Sequence, residues 1–343
     1  MASGLRTLGW LLLLLSLQAG VPSDAAQADE AALEKRLDAL RAWPGGITPP
    51  RPPGPPTALP DGADWVAVGR RLFKDPRLSG DGTMSCATCH RPANGFAEPR
   101  ALASGHRGKR LGRHTPTVVD TALLSRFFWD GRAGSLAEQA LGPMLSPDEM
   151  AGDRASIERL LDADPAYKAA FRSAFGRGGT VEDAALALEA YERTLVSQPS
   201  RVDRYLAGDK RALDRREKLG LFVFTGKGSC TVCHLGPALS DGAFHALGQR
   251  PGEDAAQADT GRMGVTGLEA DKGAFRTPPL RSVARTAPYM HDGRLPTLEA
   301  VVAFYDQGGG PGHAPLIQPL DLTAEERTAL VAFLKALDAP PRP

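Results

Sequence analysis

All four cysteines of this 343-residue chain belong to one pattern written twice: Cys86-Ala87-Thr88-Cys89-His90 and Cys230-Thr231-Val232-Cys233-His234. C-x-x-C-H is the attachment signature of c-type haem. Thiols three positions apart add to the two vinyl groups of the porphyrin, and the adjacent histidine then lies under the ring and offers the iron an imidazole nitrogen. Cys86, Cys89, Cys230 and Cys233 are therefore expected to hold two covalently bound haems, with His90 and His234 as proximal ligands. Zinc would draw both cysteine pairs into one tetrahedral site, but here each pair has its own histidine and the two lie far apart in sequence. A redox dithiol would want a strand–helix–strand pattern, and none is visible.

The segment between the motifs carries more than attachment. Phe127-Phe128-Trp129-Asp130-Gly131-Arg132 runs into Ser135-Leu136-Ala137-Glu138-Gln139-Ala140, where Ser135 and Glu138 have the spacing of a capping box. Leu136, Gln139 and Ala140 share one face of that helix, so Gln139 is directed inward, where an amide needs a partner. Gly142-Pro143 is expected to end the helix, and Glu149 follows in Ser146-Pro147-Asp148-Glu149-Met150. At the matching place in the second half, Leu298, Val301, Val302 and Tyr305 share a face instead. One site looks built for chemistry, the other for ligation or packing.

Helices must position these groups. Trp65, Val68 and Leu72 form one apolar stripe before Pro76; Ile157, Leu160 and Leu161 form another; Leu188, Tyr191 and Leu195 form a third. Thr323 and Glu326 make a capping box ahead of Leu330, Phe333, Leu334 and Leu337. No run alternates convincingly as a strand. The class is mostly α with long Gly/Pro-rich loops, and 38 glycines with 29 prolines stay below the range of a disordered chain. Landmarks also recur in order. Thr115-Pro116-Thr117, Asp130-Gly131-Arg132 and the Ser135-Leu136 helix start follow the first motif; Thr277-Pro278-Pro279, Asp292-Gly293-Arg294 and the Thr297-Leu298 start follow the second. This order predicts a duplication into two similar domains, residues 61–200 with connecting helices and residues 201–343.

The first residues set the compartment. Met1 to Arg6 is basic, Leu8 to Leu17 is apolar, and Ala26-Gln27-Ala28 offers small residues for cleavage, so 1–28 reads as a signal peptide for export to the periplasm. The apolar run is short for a membrane anchor and no other stretch reaches that length, so the mature chain is expected to have no membrane span. Residues 29–60 hold a short helix with Leu33, Leu37 and Leu40 on one face, then an extended linker with eight prolines from Pro44 to Pro60. Lys and Arg number 41 against 40 Asp and Glu, so no basic field points to nucleic acid.

From Leu72 to the C-terminus the chain resembles the bacterial di-haem cytochrome c peroxidases and their relative MauG. The strings that carry the resemblance are Asp75-Pro76-Arg77-Leu78-Ser79, the two haem motifs, Phe128-Trp129-Asp130-Gly131-Arg132 and Pro288-Tyr289-Met290-His291-Asp292-Gly293-Arg294. The resemblance implies two cytochrome c-like domains, each with one covalently bound haem, the first reacting with peroxide and the second feeding it electrons. It implies that Trp129 relays electrons between the haems, that Glu149 moves the proton between the peroxide oxygens, and that Gln139 shapes the same pocket. Plainer readings stand beside these: Glu149 also has capping-box spacing to Ser146, and Trp129 suits a core.

Two positions depart from the family's pattern, and a third is open to more than one reading. Where typical peroxidases place a methionine as distal ligand of the second haem, this chain has Tyr305, as MauG does. A thioether is soft and raises the iron's potential, whereas a phenolate is hard and favours oxidised iron. If Tyr305 merely packs in its helix, Met290 is the ligand in reserve. His106 stands where a removable histidine would block the first haem, yet its basic, Gly-rich loop equally suits a solvated ring or one facing a haem propionate. His114 replaces the asparagine of the family's calcium site and is a poor ligand for a hard cation, while the carbonyls of Thr286 and Pro288 remain, so calcium is left open. His291 resembles a second-domain histidine with a structural place beside the haem. The expectation is a periplasmic di-haem peroxidase that reduces hydrogen peroxide with electrons from a small cytochrome c or cupredoxin. The alternatives are a MauG-like enzyme that oxidises a protein or small molecule, and a non-enzymatic di-haem electron carrier.

Overall fold

The computed structural model describes residues 31–38, 46–54, 56, 58–248 and 258–341, so the expected signal peptide and Leu40 lie outside the described residues. Helix α1 spans 31–38. α2 (Trp65–Phe73) begins where the Asp64 carboxylate accepts from the Ala67 N–H, and it stops ahead of Pro76. α3 (Cys86–Cys89) is a single turn made by the first motif. α4 (Leu136–Leu145), α5 (Arg154–Ala163), α6 (Pro165–Phe175) and α7 (Val181–Glu192) complete the first half. The second half contains α8 (Arg201–Leu206), α9 (Arg215–Thr225), α10 (Met263–Thr266), α11 (Leu298–Asp306) and α12 (Ala324–Ala336). One antiparallel pair, β1 (Phe244–Ala246) with β2 (Ala274–Arg276), corrects the expectation of no strand; three residues are too few to print an alternation.

α4 differs from its expected form in two ways. It runs through Pro143 to Leu145 instead of ending there, because Leu136, Ala140 and Met144 are buried along it and one missing donor does not undo that packing. Its cap is half of the expected box: Ser135 accepts from the Glu138 N–H at 3.0 Å, while the Glu138 carboxylate accepts from Gly134 at 2.7 Å.

Buried apolar side chains gather in two large clusters. The first joins α2, α4, α5, α6 and α7 through residues such as Leu72, Phe73, Met144, Leu161, Phe171 and Leu188; the second joins α8, α9, α11 and α12 through Tyr205, Leu221, Phe224, Val302, Leu330 and Phe333. Each contains a helix pair that crosses on a glycine. A Cβ on Gly69 of α2 would strike the Ala187 carbonyl of α7, and one on Gly220 of α9 would strike the Ala329 carbonyl of α12. Phe73 meets Tyr191 at 5.3 Å between ring centroids, as Phe224 meets Phe333 at 4.8 Å. These pairs match Gly69 with Gly220, Ala187 with Ala329, and Tyr191 with Phe333.

The loops ahead of α4 and α11 match as well. Phe127 bridges Ala133 and Tyr289 bridges Leu295, with left-handed backbone at Phe128 and Gly131 in one loop and at Met290 and Gly293 in the other. Trp129 thereby corresponds to His291. Ser135 and Thr297 cap the helices that follow, so Gln139 corresponds to Val301 and Pro143 to Tyr305. Arg113 ties the halves together, reaching Asp130 and Asp259 at 2.6 Å each.

The Pro-rich arm is extended where it is described, but it is not a free linker. Leu37 is wholly buried in the second cluster and Ile47 bridges Gly236. The Thr48 carbonyl accepts from Arg281 at 2.7 Å, and the Gly54 carbonyl accepts from Arg193 at 2.7 Å. The arm thus runs from the second half to the first.

Candidate active site

α3, α4, the loop before α4 and the end of α7 surround a cavity of about 600 Å³, a size that suits a cofactor. Cys86, Cys89 and His90 stand on its wall with Trp129, Gln139 and Glu149. The Nδ1 of His90 lies 3.1 Å from the Phe96 carbonyl. A ring nitrogen facing a carbonyl carries the proton, which leaves Nε2 with the lone pair that a metal needs. His234 repeats the arrangement against the Leu239 carbonyl at 2.8 Å, and burial lowers the proton affinity of both rings.

Arg276 gives a separate test of the haem reading. β2 brings it from the second half into the cavity wall, only 4 % exposed, with the carbonyls of Phe128 at 3.3 Å and Thr277 at 3.2 Å as acceptors. Among the described residues no carboxylate pairs with it, and burial pulls its pKa down to about 10. A buried cation without an anion is costly. A porphyrin brings two propionates, so the attachment motif, the bare Nε2 and this guanidinium all fit the same group.

Glu149 is half-buried on the wall. Burial raises its pKa, Arg132 pulls the other way, and the Asp148 charge adds to the rise. It does not cap a helix: Ser146 closes the end of α4, and Asp153 caps α5. Gln139 faces the cavity from α4, and Pro143, a residue without a side-chain donor or acceptor, faces it one turn on. Trp129 is buried, with Nε1 donating to the His114 carbonyl at 2.9 Å and its own carbonyl accepting from the Arg276 N–H at 2.8 Å. His106 is not brought to the cavity. Its Nδ1 lies 3.3 Å from Asp81 Oδ2, outside hydrogen-bond geometry.

At the second motif, Tyr305 stands half-buried on α11, where burial raises its pKa and the nearby Cys230 and Cys233 thiols raise it further. That proximity puts the phenol beside the second Cys-x-x-Cys-His motif. Met290 lies in the loop before α11 with φ 74°. His291 stacks on Phe275 with centroids 3.6 Å apart, and burial lowers its pKa to about 4. The buried His114 ring has Nδ1 at 2.9 Å from the Arg100 carbonyl, with the Ala101 and Thr286 carbonyls also facing it, and an imidazole in that position is a poor ligand for a hard cation.

Sequence reasoning missed Arg276, Pro143 and Glu192, all on the cavity wall. Aligning the two halves by their glycine crossings and helix caps would have singled out the last two.

Known proteins place this arrangement. Residues 63–211 match the family model described as di-haem cytochrome c peroxidase. The chain is 39% identical to cytochrome-c peroxidase IdrP1 of Pseudomonas sp. (strain SCT), over 84% of this chain and 86% of that one. It is 38% identical to methylamine utilization protein MauG of Methylorubrum extorquens, over 93% and 88%. A crystal structure of a MauG-like protein associated with microbial copper homeostasis superposes with a TM-score of 0.76 at 32% identity, over 87% of this chain and 95% of that one. With likeness of that extent, and with His90 and His234 poised alike, the chain belongs to the di-haem cytochrome c peroxidase and MauG family of oxidoreductases.

Proposed function

We propose that this protein is a periplasmic di-haem c-type peroxidase that reduces hydrogen peroxide to water with electrons from a small cytochrome c or cupredoxin. In this reading residues 1–28 are removed on export, 29–60 form the arm, 61–200 form the first cytochrome c-like domain with its connecting helices, and 201–343 form the second. No described helix is long and apolar enough to cross a membrane. Cys86 and Cys89 would hold one haem at His90, Cys230 and Cys233 the other at His234, and these groups would supply the electron store and the metal at which peroxide reacts.

Side chains do the rest. Breaking the O–O bond requires a proton to leave one oxygen and arrive on the other. Glu149 takes it from the first and delivers it to the second, and its raised pKa brings base and acid roles closer together. Gln139 orients the peroxide from the same wall. Pro143 offers no ligand atom to a haem held at His90, whereas the matching position in the second half is Tyr305, whose phenol would ligate a haem held at His234. Trp129, held between His114 and Arg276, joins the first site to the second half.

One observation carries this reading. Glu149 is a half-buried carboxyl on the cavity wall that caps no helix and has, among the described residues, no hydrogen-bond partner for its side chain. The test is to add hydrogen peroxide to the purified, fully oxidised protein and follow its visible spectrum. A rapid change is expected, because His106 is turned to Asp81. A change only after partial reduction would make His106 a ligand of the first haem, and no change in any redox state would leave an electron carrier. Tyr305 favours a second reading, a MauG-like enzyme that spends peroxide on oxidising a protein or small molecule. A donor cytochrome oxidised in step with peroxide loss supports the first reading over the second.

A further inference from the structure

Glu192 is the last residue of α7 and lines the first cavity. It lies near enough to Cys86 for its charge to raise that thiol's pKa. It is 4 % exposed, and its Oε2 has no hydrogen-bond partner among the described residues. The fold does not require an acid there. In the register set by Tyr191 and Phe333, Glu192 corresponds to Leu334, a core residue of the second cluster. An orphaned carboxyl stands where the other half has leucine, and it does so only at the cavity of the peroxide site. Such a group is costly to bury and does something that leucine cannot.

The charges around it do not hold it ionised. On α7 itself, Glu189 accepts from the Ala137 N–H at 3.2 Å and pairs with Arg193 at 3.1 Å. On α2, Arg71 is bound to Asp164 at 2.8 Å and Arg70 lies over the Tyr191 ring. On α4, Glu138 is turned to Gly134, and at the far end of α7 Arg154 pairs with Glu182. The Cys86 thiol of α3 would be consumed by haem attachment. Burial, with the Glu189 charge adding to it, pushes the Glu192 pKa up to about 8, and the carbonyl end of a helix acts in the same direction.

We propose that Glu192 is a proton-exchanging acid of the first haem cavity, taking up one proton from solvent when one electron enters that haem and releasing it when the electron leaves. The site then keeps its net charge through each one-electron step, with the external reductant supplying the electron and water the proton. At an effective dielectric of about 20, one unit of charge several ångströms away changes a carboxyl's proton affinity more than tenfold. The proposal rests on the reading of this cavity as the seat of the first haem.

The experiment starts by counting haems by mass on the purified holoprotein, then titrates both potentials from about pH 6 to pH 10. Two haems are expected, with the first potential falling as pH rises, by up to tenfold in equilibrium constant per pH unit, or ~59 mV for one electron. Glu192→Gln should flatten that slope and leave the second haem unmoved. Glu192→Leu, which copies the second half, should do the same. A pH-independent first potential in the wild type, or a slope that survives in both variants, overturns the proposal alone. One haem per chain overturns the cavity reading with it. If neither variant retains haem, the wild-type infrared difference spectrum decides. A carboxylic acid C=O band that appears on reduction supports the proposal, and its absence defeats it.

Discussion

The backbone N–H of Arg276 donates to the carbonyl of Trp129 at 2.8 Å. The cavity's unpaired guanidinium and the tryptophan between the halves are thereby fixed to one another through main chain, so Arg276 can lose its charge without releasing Trp129. Oxidised haem carries one more positive charge than reduced haem, and a neighbouring cation disfavours it. Arg276→Gln should therefore lower the first haem's potential by about one decade in equilibrium, ~59 mV, with Trp129 fluorescence unchanged. A potential at or above the wild-type value would show that Arg276 faces no haem.

Glu149→Gln keeps shape and burial but removes the proton carrier. Peroxide turnover should fall by roughly 10²–10⁴-fold while both haems stay attached, as haem staining and mass would show. Turnover within a few-fold of wild type would assign the proton to another group.

The pH dependence follows from the direction of the Glu149 shift. Its pKa lies above the ordinary 4.5, and the base form is the one that accepts the peroxide proton. The acid limb of kcat/KM should then sit above pH 4.5, with activity rising as Glu149 ionises. The stability sign is opposite: a raised carboxyl pKa favours the fold below the unfolded-state pKa, and that contribution fades as pH rises through the folded value. Glu149→Gln should therefore be no less stable than wild type at neutral pH, measured by denaturant unfolding.

Tyr305 and Pro143 occupy the same place in matching helices, one with a ligand atom and one without. Tyr305→Phe should change the visible spectrum of the second haem and spare the first. Tyr305→Met should raise the second haem's potential, since a thioether favours reduced iron. An unchanged spectrum in Tyr305→Phe would move the ligand to Met290.

Arg281 is 1 % exposed and binds Asp203 at 2.7 and 3.0 Å while donating to the Pro237 and Thr48 carbonyls. Arg281→Ala leaves the buried Asp203 carboxylate without its cation, still accepting from Ser200, and should cost about 3–5 kcal/mol in urea unfolding. The arm near Thr48 should become cleavable by protease at the same time. A loss below about 1 kcal/mol would mean that solvent reaches the pair.

What could be seen in the sequence was local. Two cysteines and a histidine within five positions announce a haem, a stripe at helical spacing announces α2 or α12, and duplicated landmarks announce two halves. The internal register was harder, because intervals between landmarks differ; it became readable only when Gly69 and Gly220 were seen at equivalent helix crossings. Pro143 read as a stop, and only the buried face of α4 explains why the helix continues. Arg276 and Glu192 matter for the partners they lack, and no spacing rule records a missing partner. The reading of Glu149 as a cap failed for a related reason, since Ser146 was already committed to ending α4.

The arm between the halves has a consequence for how the molecule assembles. The Thr48–Arg281 hydrogen bond spans 233 positions and the Gly54–Arg193 bond spans 139. Chains rich in such distant pairings have high contact order and close slowly, because the loop entropy must be lost before the contacts form. The second core needs Leu37 from near the start of the chain and Leu337 from near its end. The second core therefore cannot close until residues from both ends are in place, and the arm is among the last segments to lock.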